Sequence, residues 1–169
     1  MAGATKKLPA RLAVMAEFVS LGESVADIGA DHGYLPIYLI REGVSPFAVL
    51  TDVKPGPLEK ARISVAKAGI EEGDPRIGFR LGEGLTALQE AEVDVVVIAG
   101  MGGETIMAIL ESSPEKTRSF KRFIMQPRTK AETLKNWLIC TGWKILKEAS
   151  AVERGRICDI ILAVPPPAK

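Results

Sequence analysis

"VADIGADHGYLP", Val25 to Pro36, contains the turn on which the fold depends. Val25-Ala26-Asp27-Ile28 reads as a short buried strand, and Gly29 supplies the sharp turn out of it. Leu35 to Arg41 then reads as a helix starting near Pro36, where a proline is tolerated, and Gly43 ends it. A dinucleotide fingerprint would place its second glycine two residues after the first, so that the backbone can approach a pyrophosphate. Here that position is Asp31.

The rest of the chain extends the same pattern. Apolar residues at helical spacing over 8–20 predict an amphipathic opening helix, and 24–28 is the first strand. "FAVLTDV" (47–53) predicts a second strand ending at Asp52; Pro57 suits the first position of the next helix, and Gly69 its stop. "IGFRLGEGL" (77–85) holds a third strand and a glycine-bracketed turn. "VDVVVIAG" (93–100) has the unbroken β-branched character of a central parallel strand covered on both faces. A glycine turn opens a helix at Glu104, "RFIMQP" (122–127) is a fifth strand, and Thr129-Lys130-Ala131-Glu132 has the form of a capping box. Two alternating segments around Glu153-Arg154-Gly155 predict a hairpin, and 165–169 is expected to be a disordered tail. Together these elements predict one α/β domain over 1–169: a doubly wound, mostly parallel, Rossmann-like sheet with an antiparallel C-terminal hairpin.

Composition narrows the class. The chain is 47% hydrophobic and 25% charged, the balance of a globular protein. No apolar run approaches the roughly 18 residues of a membrane span. Cys140 and Cys158 lack metal or redox spacing and are expected to be reduced, buried thiols of a cytoplasmic protein. Net charge is only +1, yet residues 116–135 carry seven basic side chains against Glu132 alone. That asymmetry predicts a basic face.

In doubly wound sheets ligands bind beyond the carboxyl ends of the strands. Asp52 stands where a carboxylate accepts both ribose hydroxyls, and Gly82-Glu83-Gly84 where a turn passes close to an adenine ring. Asp31 would repel a pyrophosphate. S-adenosylmethionine has no phosphate; it has a sulfonium and an ammonium, which suit carboxylates at Asp27 and Asp31. Asp31 also suits the N-cap of the following helix. His32, the single histidine, lies inside the turn and has no partners for a metal site. Gly100-Met101-Gly102-Gly103 allows close backbone approach at a helix N-terminus but lacks the Lys-Ser/Thr of a phosphate loop.

"VADIGADHGYLP", "VVVIAGMGG" and "IMQP", in that order and spacing, resemble the bacterial tRNA (adenine-22, N1)-methyltransferase family from about Leu8 to Val164. The resemblance implies a class I methyltransferase sheet and S-adenosylmethionine as cofactor. Asp27, Gly29, Asp31, His32 and Gly33 would form its turn, Asp52 its ribose contact, and Gly82, Glu83 and Gly84 its adenine contacts. Gly100 and Met101 would floor the active site and Gln126-Pro127 would lie beside the substrate entrance. Asp31 and Gln126 are then the expected catalytic residues, and Arg122, Arg128 and Lys130 the expected RNA contacts. The implied partner is tRNA, with no metal, no membrane and no obligate protein partner. Two departures stand out: the family usually continues into a helical C-terminal domain, and Arg128 stands where Asn is frequent. Alternative readings are a methyltransferase for another RNA or a small molecule, a non-catalytic adenosylmethionine-binding module, and a dinucleotide oxidoreductase, against which Asp31 argues.

Overall fold

Seven strands form one sheet in the order β3-β2-β1-β4-β5-β7-β6. The computed structural model describes residues 7–168. In chain order the elements are α1 (Ala10–Glu17), β1 (Val25–Ile28), α2 (Tyr34–Arg41), β2 (Ala48–Asp52), α3 (Pro55–Lys67), β3 (Ile77–Leu81), a 3-10 turn (Gly84–Ala87), β4 (Val95–Met101), α4 (Gly103–Ser112), α5 (Pro114–Ser119), β5 (Arg122–Pro127), α6 (Ala131–Cys140), β6 (Lys144–Glu153) and β7 (Arg156–Val164). Strands β1 to β5 are mutually parallel, and β7 runs antiparallel to both β5 and β6. This is the predicted doubly wound sheet with its closing hairpin.

The central strands are apolar on both faces because each face is covered. Val25, Val95, Val97 and Ile124 pack with Met15, Phe18, Leu39 and Ala61 on the side of α1, α2 and α3. Ala26, Val96, Ile98, Phe123 and Met125 pack with Ile106, Leu110, Leu134 and Leu138 on the side of α4 and α6. Side chains alternate along a strand. Asp27, two residues after Val25, and Gln126, two after Ile124, therefore share the face covered by α1.

Several local expectations are corrected. The opening helix is shorter than 8–20. In α2, which begins at Tyr34, Pro36 occupies the first turn, where its missing N–H had no helical acceptor. In α3 the first position is Pro55 rather than Pro57. The short helix α5, which begins at Pro114, was not anticipated. Thr129 does not cap α6: its N-cap is Lys130, in the left-handed region at φ 60° with no side-chain cap. The Thr129 carbonyl instead accepts a hydrogen bond from Gly103 N at 2.8 Å, which folds this loop against the β4–α4 turn. Asp31 is not the N-cap of α2 either; Gly33 is. Cys140 is exposed and Cys158 half-buried, so neither is the buried thiol expected. Of the predicted tail, Pro165 is buried and residues 165–168 have no regular structure; Lys169 lies outside the described residues.

Candidate active site

At the carboxyl ends of β1 and β4 the chain order reverses: β2 lies on one side of β1 and β4 on the other. That reversal leaves a crevice, the usual ligand position in such sheets. A cleft of about 1100 Å³ opens there, lined by the Gly29–Leu35 loop, Asp27, Gly100 and Gln126-Pro127-Arg128. Residues of α1 and the 152–158 tip of the last hairpin complete its wall. Its volume slightly exceeds the roughly 300–1,000 Å³ usual for small-molecule sites, so it has room for more than one small group.

The turn that carries the loop is built on glycine. Gly29 has φ +71°, and a Cβ there would lie 2.6 Å from Met101 Cε. The amides of Gly29 and Ala30 both donate to the Thr51 carbonyl at 3.0 Å, so β2 holds the base of the loop. Asp31 lies at the exposed tip with φ 47°, a conformation that is uncommon for a residue other than glycine. Its carboxylate is 3.8 Å from His32 Nε2, and the His32 ring stacks on Tyr34 at 5.1 Å.

Asp27 is the chemically unusual residue. It is 8% exposed, and its carboxylate accepts no hydrogen bond from any described residue. Burial pushes its pKa from 3.8 up to about 7; the Arg11 guanidinium opposes the rise and the Asp52 carboxylate adds to it. A buried carboxyl without a partner costs free energy, so one aimed into a cleft is a mark of function.

Gln126 is 3% exposed and fixed from two sides. Its Oε1 accepts from Gly100 N at 3.2 Å and from Arg11 at 3.5 Å, while its Nε2 donates to the Pro127 carbonyl at 3.1 Å. Arg11 also donates to Glu153 Oε2 at 3.0 Å. Sequence reasoning missed Arg11 and Glu153 as site residues. Arg11 has only its place on the polar side of α1 as a signal, and Glu153 looks like a hairpin-turn residue.

The other predicted positions line the same edge beside the cleft. Asp52 pairs in register with Leu81, and Gly82 N donates to the Asp52 carbonyl at 2.9 Å. Among the described residues the Asp52 carboxylate accepts only from Lys54 N, at 3.1 Å. Val53 and Leu81, flanking Asp52, are exposed apolar residues that sequence reasoning also passed over. Glu83 and Gly84 follow at the 3-10 turn. Asp27, Gly29, Asp31, His32, Gly33, Gly100 and Gln126 thus share the cleft, and Asp52, Gly82, Glu83, Gly84 and Met101 lie along the adjoining edge.

The basic stretch does not form one face. Arg122 begins β5, at the opposite end of the sheet, and its guanidinium is taken up by Glu23 and the Phe18 carbonyl. Lys121 is paired with Asp94 at 2.7 Å. Arg128 and Lys130 are exposed at the carboxyl edge, Arg128 on the cleft and Lys130 just behind it. Arg122 therefore does not belong with them. Helix and strand periodicity predicts Phe120, Phe123 and Trp137 as core residues; the two phenylalanines are buried and Trp137 packs partly buried against the core. Among the described residues no group of three His, Cys, Asp or Glu side chains is placed to hold a metal, and no helix is long and apolar enough to cross a membrane.

Comparisons with known proteins agree with this geometry. A family model described as a methyltransferase domain matches residues 8–161. The tRNA (adenine(22)-N(1))-methyltransferase of Bacillus subtilis is 34% identical over 157 residues, covering 93% of this chain. The chain spans 65% of that relative's length. The crystal structure of the B. subtilis m1A22 tRNA methyltransferase TrmK superposes with a TM-score of 0.85 at 33% identity, covering 95% of this chain and 68% of that one. TrmK of M. capricolum, in complex with S-adenosylhomocysteine, superposes with a TM-score of 0.82 at 28% identity, covering 96% and 70%.

Proposed function

Since the chain belongs to the methyltransferase-domain family, alongside the m1A22 tRNA methyltransferases, we propose that it transfers a methyl group from S-adenosylmethionine to N1 of an adenine in tRNA. The observation that carries this reading is Asp27, a buried carboxylate with no hydrogen bond from any described residue, facing a cleft at the reversal of the sheet. Such a site suits a cationic ligand and repels a pyrophosphate, which argues against a dinucleotide.

The residues fit the cofactor. Asp27 and Asp31 would meet its positive centres, Asp52 its ribose hydroxyls, and Val53 and Leu81 the faces of its adenine ring. Bound there, S-adenosylmethionine supplies a methyl group on a sulfonium. Adenine N1 has an in-plane lone pair and no proton to lose, so the chain's work is positioning and charge rather than base catalysis. The buried Gln126 amide, locked by Gly100 and Arg11, is set beside the entrance to orient the incoming base. The Asp31 carboxylate offsets the positive charge that moves onto the adenine. N1 lies on the pairing edge, so the target base must be exposed before it enters. We further propose that residues 8–161 act as one methyltransferase domain in the cytoplasm and need neither a metal nor an obligate protein partner.

The test is incubation with labelled S-adenosylmethionine and bulk tRNA, followed by primer extension, which stops at an N1-methylated adenine. Stops at one adenine position are expected. Tight S-adenosylhomocysteine binding with no label in any RNA would replace the enzyme with a binding module. On the same assay Asp31→Asn should lower turnover while leaving the melting temperature nearly unchanged, because Asn tolerates the left-handed backbone and Asp31 caps no helix.

A further inference from the structure

The last hairpin is longer than the sheet needs. The β5–β7 register pairs Met125 with Ile161, which sets Pro127, the end of β5, level with Asp159. The hairpin continues to Arg156, about 10 Å beyond that level at roughly 3.4 Å per residue, and only then turns at Arg154-Gly155. This overhang stands as a wall of the cleft.

Its composition does not serve the core. Val152 and Ile157 are cross-strand partners, yet they are 67% and 73% exposed. Arg154 and Arg156 are exposed and make no ion pair with any described residue, and the same holds for Arg128 across the mouth. Arg154 also has φ 50°, followed by Gly155 at φ 74°. A two-residue turn with both φ positive favours Asn-Gly or Asp-Gly, so an arginine at its first position is held against backbone preference. Glu153, immediately before the turn, is tied to Arg11, which fixes the tip over the cleft.

Resting on the methyltransferase reading above, we propose that the 152–157 hairpin tip is an RNA-contacting wall. Arg154, Arg156 and Arg128 meet phosphates on either side of the target nucleotide, and Val152 and Ile157 cover a neighbouring unstacked base or sugar. Charge complementarity selects this occupant. The cleft is acidic at the buried Asp27 and at Asp31 on its exposed lip, and takes the cation; Arg128, Arg154 and Arg156 at the rim, with no ion pair to any described residue, take the polyanion. Single-stranded and looped RNA, with splayed bases and accessible phosphates, matches a rim that alternates arginine with exposed apolar side chains.

The test is the combined variant Arg154→Asn, Arg156→Thr, measured for tRNA affinity across a salt series, S-adenosylhomocysteine affinity and melting temperature. Two lost phosphate contacts should flatten the log–log salt slope by about 1.4 to 1.8. Cofactor-product affinity should hold, and the melting temperature should not fall, since Asn is the better turn residue. Separately, Ile157→Thr should weaken tRNA binding by about fivefold at an unchanged salt slope. Equal slopes for parent and double variant, with the parent methylating tRNA, would overturn the hairpin assignment and leave the enzyme reading standing. A parent that neither binds nor methylates tRNA would overturn both.

Discussion

Arg11 and Glu153 lie 142 positions apart in the chain and meet at 3.0 Å across the mouth of the cleft. The contact ties α1, the first helix, to β6, the edge strand of the hairpin. The same guanidinium reaches Gln126 and opposes the rise that burial causes in the Asp27 pKa, so one side chain links the hairpin tip, the Gln126 amide and the buried acid.

Arg11→Ala should therefore do more than remove a surface charge. The two side chains are 28% and 26% exposed, and Glu153 Oε1 is buried without a hydrogen bond. Losing the guanidinium should cost about 1–2 kcal/mol, below the range for a fully buried pair because water still screens this one. A double-mutant cycle with Glu153→Gln measures the tie directly. Strictly additive losses in that cycle would show that the two residues do not couple.

Asp52 tests the cofactor assignment. Among the described residues its carboxylate is engaged only by the Lys54 amide, which leaves most of its hydrogen-bonding capacity to a ligand or water. Asp52→Ala should weaken S-adenosylhomocysteine binding by roughly 1.5–3 kcal/mol, the range for charge-assisted hydrogen bonds, with a smaller effect on melting. Unchanged affinity by calorimetry would remove Asp52 from the ribose position.

Much of this layout is legible in the sequence because it rests on local rules. β-branched runs announce the strands, and glycines and acids at strand ends announce where the cleft opens. Asp27, Asp31 and Asp52 follow from that reasoning; Gln126 is neither a glycine nor an acid and stands out only through the family resemblance. What escaped it depends on distant packing. Arg11 and Glu153 become neighbours only when α1 lies over the hairpin. Arg122 and Arg128 are six residues apart in sequence and look like one basic cluster, yet a strand carries them to opposite ends of the sheet. Thr129 and Glu132 have capping-box spacing, but the Gly103 amide claims the Thr129 carbonyl and the loop turns the other way.

Gly103 shows the same long-range constraint. A Cβ there would lie 2.6 Å from the Lys130 carbonyl oxygen and 3.0 Å from that of Thr129, both backbone atoms. Gly103→Ala should push the loop that carries Arg128 away from β4 and destabilise the fold by about 1–3 kcal/mol. A parallel Gly100→Ala meets nothing within 4 Å but has φ +73°, so its penalty is conformational, about 1–2 kcal/mol. Thermal melts compare them, and an undisturbed Gly103→Ala melt would mean the loop yields freely. If the loop is part of the substrate surface, tRNA affinity should fall further for Gly103→Ala than for Gly100→Ala.

The most specific expectation concerns pH and Asp27. Its pKa in the folded chain is about 7, against 3.8 for an ordinary aspartate, chiefly because it is buried. The folded protein therefore binds this proton more tightly than the unfolded chain does. The stability this contributes is fully present below about pH 4 and is lost as pH rises through about 7. Binding a cation has the opposite preference, because it needs the ionised carboxylate. S-adenosylhomocysteine carries the ammonium without the sulfonium, so it isolates that contact. Its affinity should climb with pH up to about 7 and then level off, and near pH 6.5 binding should release a proton from Asp27. Calorimetry at that pH in two buffers of different ionisation enthalpy counts the proton. Asp27→Asn should bind weakly and without this pH dependence, and the ligand-free variant should lose the corresponding slope in its melting profile. Proton uptake on binding, or affinity that falls between pH 6 and 7, would show that Asp27 does not receive the cationic end of the ligand.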